Sequence, residues 1–464
     1  MATRYTPLEH PKRIILVDEF GLKRVQTLTV TPEFDTQIAK EIGSDVIIET
    51  YGLPTATTVE ITKNDYGESD TFAMFMGEFA EDPYWHLSGS TLPYERDTTR
   101  INDYYNTTRS LERQMVDFVI YHKLDGDLKY TRWVPSCRLT RATFEYTVDG
   151  VATETWTFRG SSVRNYANVA KDAGVAIGYY ESTDSFRVVG DFTSGYEFIE
   201  VTVNGVVKYS NKVAGTITAS SYDAGTNTTI ISVTGAEFKP TDRIRLVFYR
   251  TTPRSWNDLI VDYDMNHQGR AMVFRGQVFP YMAPVSPSGT YTTITDVVDT
   301  TDTDNKKFLW VQRASIELAL DSTDRHELGL MVPVSVRISY PPTITVTVDV
   351  LASSLEDLAR LSDLEDWWND TANPYRFMYE FVKTYNVLVV DIFKNRDDRP
   401  LSERVHLKRI IVSGLSITGF TDVQNIDADG TITWTMQGTW MAVSGTGIDP
   451  IAQTEDVPDP LYDV

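Results

Sequence analysis

The sequence predicts a mainly β protein: two tandem antiparallel β-sandwich or half-barrel domains, each with a flanking helix, plus an inserted immunoglobulin-like β-sandwich module. Three observations lead to this prediction. Thr, Val, Tyr and Ile are concentrated in alternating runs separated by Gly, Asp and Asn, as is typical of antiparallel sheets. One hairpin pattern occurs twice, as DGVATETWTFRG at 149–160 and DGTITWTMQG at 429–438. Between the two copies, residues 183–250 have shorter runs that turn residues interrupt.

The size and charge of the chain set the first limits on its function. Its 464 residues suffice for two or three domains, and its formal net charge is −22. Such a chain will not adhere to DNA through its average field, and its charge fits either an ordinary soluble acidic protein or a surface suited to high salt. We expect no membrane span and no secretion signal. The single cysteine, Cys137, excludes an internal disulfide and any multi-cysteine metal site.

Two groups of alternating runs follow one another in the same order, which indicates a duplicated unit. Val25-Gln26 precedes the EIG at 41–43 by the same spacing as Val311-Gln312 precedes the ELG at 327–329. In each unit a Thr-rich strand, a helical stretch and an apolar run follow, and the repeated hairpin comes last. Chance similarity between two β-rich segments is the alternative. The predicted strands are 25–34, 57–63, 142–148 and 153–159 in the first unit, and 311–320, 333–340, 343–350, 415–420 and 431–437 in the second.

Three stretches predict helices. SSLEDLARLSDLEDWWND at 353–370 opens with a capping pattern, Ser354 and Asp357, and has leucines at helical spacing. Its counterpart in the first unit is 108–118, and 164–174 is a weaker candidate. We expect the helix of each unit to cover one face of its sheet.

These patterns divide the chain into five segments. An arm is assigned because 284–307 is rich in Ser, Thr, Asp and Pro and has little to bury. The predicted segments are a first domain at 1–182, an inserted module at 183–252, a connector and surface arm at 253–307, a second domain at 308–450 and an acidic C-terminal tail at 451–464.

The sequence offers no catalytic or metal-binding pattern. Its six histidines lack a second His, Cys or Glu at ligand spacing, and it has neither a P-loop nor a G-x-S-x-G motif. Acidic pairs such as Glu365-Asp366 carry little weight in so acidic a chain. The DGD at 125–127 and the NIDADG at 425–430 are better interpreted as turns than as calcium loops. We therefore expect no enzyme activity, no cofactor and no metal ion.

The repeated hairpins have one apolar and one polar face, because successive residues of a strand point to opposite sides. An ordinary sandwich with a solvated outer face explains this pattern, and a polar face that lines a channel explains it equally well. Asp149-Gly150 and Asp429-Gly430 are the predicted turns. The predicted anchors of the buried face are Phe144, Tyr146, Trp156, Phe158, Trp434 and Met436. The residues predicted on the polar face, which would be channel-facing, are Thr143, Glu145, Thr155, Thr157, Thr433, Thr435 and Gln437.

This arrangement resembles the tail tube proteins of long-tailed bacterial and archaeal viruses. The resemblance rests on the paired hairpins, the flanking helix and the closing strand with Asp-Gly, alternating Thr and a final Gly, over roughly 20–180 and 305–445. Members of that family close their sheets into a barrel around the DNA channel, most as hexameric rings of one-domain chains. Two fused domains imply a trimeric ring with approximate sixfold appearance, stacked into a tube.

The resemblance also implies roles for segments and partners. The hairpins around 142–159 and 415–437 would form the channel, while 44–58 and 329–343 would contact the adjacent ring. The partners would be further copies of the chain together with tape measure, terminator and distal tail proteins. Viral DNA would pass through the channel without specific binding, the module would be displayed outside, and the protein would belong to the virion tail without membrane insertion.

Two other functions remain as alternatives to a tube subunit. One is a related ring component of the tail, such as a distal tail or terminator protein. The other is a multidomain β-sandwich adhesin or carbohydrate-binding protein that uses 183–250 for recognition.

Overall fold

The computed structural model describes a chain that is mainly β, as predicted, with antiparallel strand pairing. Within the described residues, no helix is long and apolar enough to span a membrane. The described residues are 12–17, 20–22, 24–40, 47–67, 71, 75, 116–124, 127–160, 162–167, 172–203, 206–211, 216–239, 242–252, 254–262, 273, 277–283, 306–307, 311–325, 335–338, 343–352, 387–393, 406–425, 428–438 and 440–445.

The strands fall into three groups along the chain. The first unit contains β1 (Lys12–Val17), β2 (Phe20–Gly21), β3 (Val25–Lys40), β4 (Ile47–Asn64), β5 (Val116–Leu124), β6 (Asp127–Thr147), β7 (Thr153–Gly160) and β8 (Arg164–Ala167). The module contains β9 (Asp172–Ser182), β10 (Ser185–Val189), β11 (Tyr196–Val203), β12 (Val206–Ser210), β13 (Ile217–Asp223), β14 (Thr228–Val233) and β15 (Ile244–Arg250), and a short helix α1 (Trp256–Asp262) follows it. The second unit contains β16 (Val278–Ala283), β17 (Lys306–Lys307), β18 (Val311–Ala319), β19 (Ser322–Arg325), β20 (Ser335–Ile338), β21 (Thr343–Ala352), β22 (Val387–Phe393), β23 (His406–Ser413), β24 (Ser416–Asn425), β25 (Ala428–Gly438) and β26 (Trp440–Gly445).

Both units contribute to one continuous sheet, here called the inner sheet. Its strand order is β3-β4-β7-β6-β18-β21-β25-β24. The first four strands belong to the first unit and the last four to the second, and β6 pairs with β18 where the units meet. The fusion of two units therefore produces one sheet with twice the strands of either.

Each unit packs a second, outer sheet against the apolar side of the inner sheet. In the first unit it has the order β2-β1-β5-β6-β8, and in the second β17-β16-β22-β23-β26. The long strand β6 belongs to both layers and turns near Ser136, which has a φ of 55°. The second unit divides the same path into β23 and β24 at Gly414, whose φ is 65°. A left-handed residue thus turns the chain between layers in both units.

One apolar core joins the two layers in both units. It includes Ile61, Phe118 and Trp156 from the first unit and Val348 and Ile410 from the second, and all five side chains are 0% exposed. Burial of such side chains contributes about 1.5–3 kcal/mol each to folding.

The module lies on the outer sheet of the first unit, on the side away from the inner sheet. Alternate residues of β1 and β5 face the module, and their neighbours face the main core. Tyr121 and Trp133 share a small core with Val247 of the module. The carboxylate of Asp117 accepts hydrogen bonds from Arg243 (3.0 Å) and Arg245 (2.5 Å), and all three side chains are buried. The module is therefore anchored by both apolar packing and a buried ion cluster.

Strand pairing extends two of the groups beyond the ranges that the sequence suggested. β9 pairs with β10 and β15, so the module's sheet begins at Asp172 and not at 183. β16 lies inside the predicted connector and pairs with β22, so the second unit's sheet begins at Val278. Neither strand shows an alternation of apolar and polar residues in its sequence that would assign it to one sheet or the other.

The structure differs from two of the helix predictions. The stretch 164–174 contains β8 and the beginning of β9, so the predicted helix there is wrong; pairing with β6 and β15 overrides its weak helical pattern. Residues 116–118, at the end of the predicted helix 108–118, belong to β5. Outside the described residues lie 108–115, the predicted helix at 353–370, residues 284–305 of the predicted arm and the predicted acidic tail.

Candidate assembly surface

The apolar face of the inner sheet contains the anchors that the sequence predicted. Phe144 and Trp156 are completely buried, and their rings meet edge to face with centroids 5.4 Å apart. Phe75 packs against the same group, 5.1 Å from Trp156 and 4.6 Å from Phe158. The exposed fractions of the remaining anchors are also small: Tyr146 4%, Phe158 1%, Trp434 4% and Met436 1%.

The opposite face of the inner sheet is polar and rich in threonine. Gln437 is exposed, and the other residues predicted on this face are half-buried, in alternation with the anchors: Thr143, Glu145, Thr155, Thr157, Thr433 and Thr435. Neighbouring strands add hydroxyl groups in the same rows, since Thr62 pairs with Thr155 and Thr347 with Thr435. The face therefore presents short neutral side chains between a few charged ones.

Three arginines on this face are each paired with a carboxylate. Arg159 makes a bidentate contact with Asp324, with both N–O distances 2.8 Å. Arg141 reaches Glu317 over 2.5 Å, and Arg313 reaches Glu145 over 2.8 Å. The last two pairs cross the junction between β6 and β18 in opposite directions, so that each unit supplies one arginine and one glutamate. Exposed pairs of this kind contribute at most about 1 kcal/mol each to the stability of the fold. Their main effects are therefore to set the register of β6 against β18 and to neutralise the arginines.

Matching irregularities show that the two units are equivalent residue by residue. A β-bulge falls at Gln26 in β3 and at Gln312 in β18. A second bulge falls at Thr140 in β6 and at Thr418 in β24. The hydroxyl groups of these two threonines donate to equivalent carbonyls, those of Thr157 (3.0 Å) and Thr435 (3.2 Å). Bulges depend on local geometry, so their agreement at two positions supports duplication far better than similar composition does.

The glycines that close the repeated hairpin are equivalent too. A Cβ atom at Gly160 would lie 2.7 Å from Sγ of Cys137, and one at Gly438 would lie 2.5 Å from Cγ1 of Val412. At both places the chain leaves the inner sheet for the outer sheet and passes close to the strand it has to cross. The final Gly of the repeated pattern is therefore a packing requirement.

The two predicted hairpin turns have different outcomes. Asp149 and Gly150 are exposed in the turn between β6 and β7, as predicted. Asp429 and Gly430 lie inside β25, because the second hairpin continues to the pair Asn425–Ala428. Of the segments expected to contact an adjacent ring, 47–58 belongs to β4, 335–338 forms β20 and Thr343 begins β21. The rest of both segments lies outside the described residues.

The inner sheet ends in two edges that have no strand partner within the described part of the chain. β3 pairs only with β4 at one end, and β24 only with β25 at the other. Leu28 and Val30 on β3 are only partly covered by the core, whereas the equivalent residues inside the sheet, Ala314 and Ile316, are 1% and 0% exposed. Apolar side chains at the β3 edge therefore remain partly exposed, whereas the equivalent side chains at the internal junction are buried.

No family model and no curated protein matches the chain. Among solved structures, the sheath–tube complex of an extracellular contractile injection system (PVC) matches at 13% identity and a TM-score of 0.23, over 36% of this chain and 95% of the other. The sheath/tube terminator of that system matches at 15% identity and 0.24, over 36% and 100%. An Hcp protein matches at 11% and 0.18, over 37% and 91%. Such TM-scores do not establish a shared fold for the whole chain.

Proposed function

We propose that this protein is a structural subunit of a viral tail tube, which assembles as stacked trimeric rings around a channel for DNA. The observation that carries the proposal is the inner sheet with two open edges, β3 and β24, whose equivalents β18 and β6 pair with one another inside the chain. A strand edge is a template for another strand, and a closed barrel removes it. A second copy of the chain, paired with either edge, would continue the alternation of first and second units along the sheet.

Strand number favours three chains. Strands are about 4.8 Å apart, so three inner sheets give a ring of about 24 strands with a backbone diameter of at least about 37 Å. Two inner sheets give about 16 strands and about 24 Å, which is too narrow for a duplex once side chains fill the inner surface. Three chains of two units each also close into a ring in which the first unit meets the second both within each chain and between neighbouring chains.

The polar face suits a channel for DNA that must not be trapped. Binding to phosphates needs unpaired Lys and Arg side chains, whereas Arg141, Arg159 and Arg313 on this face are all paired with carboxylates. Glu60 is exposed on the same face. A wall of threonine with a slight excess of carboxylates repels the phosphate backbone and lets it slide. The module, on the far side of the outer sheet, would then lie outside the tube.

The proposal includes no enzymatic step and no cofactor. The other copies of the chain are its first partners, and tape measure, terminator and distal tail proteins are the expected neighbours at the ends of the tube. A terminator or distal ring has the same edges, so the two roles differ in copy number: a tube subunit is present in many rings per virion and a terminator in one.

Electron microscopy and native mass spectrometry of the purified protein test the proposal. We expect rings or tubes with a central hole and a particle mass of three chains or multiples of three. A stable monomer or dimer, or a ring of six chains, would contradict it. A glycan-array screen tests the adhesin alternative. That alternative requires that the protein bind glycans through the module and that it form no rings.

A further inference from the structure

The internal junction between the units gives the register in which two copies of the chain meet. We propose, resting on the proposed ring, that β24 of one copy pairs antiparallel with β3 of the next in one register, with Thr421 opposite Thr31. This junction between copies would lack the two ion pairs of the internal junction. The ring would then alternate between junctions inside chains, which contain these ion pairs, and junctions between chains, which lack them.

The register follows from the equivalence of the two units. In the internal junction, Thr143 of β6 lies opposite Glu317 of β18. Thr421 takes the place of Thr143, because each pairs with the corresponding threonine of the repeated hairpin, Thr433 and Thr155.

The partner on the other edge follows in the same way. Thr31 takes the place of Glu317, because they pair with Thr58 and Thr345 at the same distance from the matched bulges in β3 and β18. Both Thr31 and Thr421 are exposed in the single chain, as residues at a free edge should be.

The chemistry of the two junctions differs on the polar face. In the internal junction, Arg141 pairs with Glu317 and Arg313 with Glu145. The positions that correspond to these four residues at the free edges are occupied by Gly419, Thr31, Thr27 and Val423. The junction between copies therefore has no ion pair at these positions, and backbone hydrogen bonds and threonine contacts would hold it on this side.

The apolar face supplies the remaining contact. Leu28 and Val30 of β3 pack on the main core and remain partly open, as does Ile417 of β24. Their internal counterparts, Ala314, Ile316 and Leu139, are at most 5% exposed because the neighbouring unit covers them. A neighbouring copy in the proposed register would cover the edge residues in the same manner, and burial of apolar area is the main favourable contribution to such an association.

Disulfide cross-linking of the full-length protein tests the register. Paired residues in antiparallel strands have Cα atoms about 4.5–5.5 Å apart, within reach of a disulfide. The test variant is T31C/T421C. Its matched control, T27C/T421C, keeps both cysteines on the same face but moves one by four residues, about 14 Å along the strand. T143C/E317C, across the internal junction, is the positive control. The native Cys137 is buried and stays in all three.

After mild oxidation and thiol blocking, denaturing gels without reductant show the products. We expect covalent dimers and trimers from T31C/T421C, formed at least about tenfold faster than from T27C/T421C, and an intramolecular bond in T143C/E317C. Equal or faster cross-linking of T27C/T421C would overturn the register. The register would also be wrong if T31C/T421C formed rings visible by microscopy but did not cross-link. In that case the proposed tube function would stand. Cross-linked open filaments without rings would support the pairing and contradict the tube function.

Discussion

The ammonium group of Lys408 lies 2.8 Å from Oδ2 of Asp65, and this buried ion pair connects the second unit to the first. Lys408 also donates to Glu154 over 2.5 Å, and the hydroxyl group of Tyr146 donates to Asp65 over 3.0 Å. Burial alone would raise the pKa of Asp65, but the charge and hydrogen bond of Lys408 hold it below its usual value. The pair crosses from β23 of the outer sheet to the first unit, so it fixes how the two units sit on one another.

Replacing Lys408 by Met should therefore destabilise the protein strongly. The change removes the cation that the buried carboxylates of Asp65 and Glu154 share and leaves Lys63, 3.8 Å from Glu154, as the nearby positive charge. Breaking a buried pair in this way costs about 3–5 kcal/mol. Chemical denaturation measures the loss. The control is Arg141→Ala, which breaks a pair that is 55% and 32% exposed and should cost less than about 1 kcal/mol. Similar losses in the two variants would show that the buried pair does not lock the units.

The anchors of the repeated hairpin should be equally important in both units. Trp156→Ala and Trp434→Ala should each cost about 3–5 kcal/mol, because both side chains are buried in the shared core. Thr155→Ala, on the opposite face of the same strand, should change stability by less than about 1 kcal/mol. Thermal and chemical unfolding compare the three variants. A small effect at either tryptophan would argue against equivalent roles.

The closing glycines should not tolerate a methyl group. Gly160→Ala and Gly438→Ala place Cβ within 2.7 Å of Cys137 and 2.5 Å of Val412, and such overpacking costs about 1–3 kcal/mol. Gly419→Ala is the matched control within the same sheet, since its nearest neighbour would lie 3.5 Å away. Melting temperatures suffice for this comparison. Wild-type stability of both closing variants would mean that the close approach is not a constraint.

The module should depend on Asp117 for its position. Asp117→Asn removes the charge that Arg243 and Arg245 share and leaves two buried guanidinium groups, at a cost of about 3–5 kcal/mol. We expect limited proteolysis to cleave this variant faster near the module, whereas Asp191→Asn, in an exposed turn of the module, should behave like the wild type. Unchanged cleavage of Asp117→Asn would indicate that apolar packing alone holds the module.

His122 should make stability depend on pH. Burial and the nearby charges of Arg13 and Arg132 lower its pKa to about 4, from a usual value of 6.5. Between these values the unfolded chain binds a proton that the folded chain does not, so stability should fall as the pH decreases from 6.5 towards 4. His122→Phe, which keeps an aromatic ring beside Tyr130, should show a smaller fall over that range. Parallel stability curves for the two proteins would exclude this role.

The sequence by itself determined the β class, the duplication and the two faces of the repeated hairpins. Alternation is a local property of a strand, so Trp156 and Trp434 could be placed on the buried face and Thr155 and Thr433 opposite them before any pairing was known. The equivalence of Gln26 and Gln312 could also be recognised from the sequence, because duplication leaves the same residue at the same spacing in each unit.

Tertiary structure decided the features that depend on which distant strands meet. β16 lies in a segment that composition marks as a connector, and only its pairing with β22 assigns it to the second unit. The contact of Lys408 with Asp65 joins residues far apart in the chain, and nothing in the local pattern distinguishes Lys408 from an exposed lysine. Local patterns specify strands and faces, whereas pairing between remote strands, and the burial of charge that follows from it, emerges only when the whole chain packs.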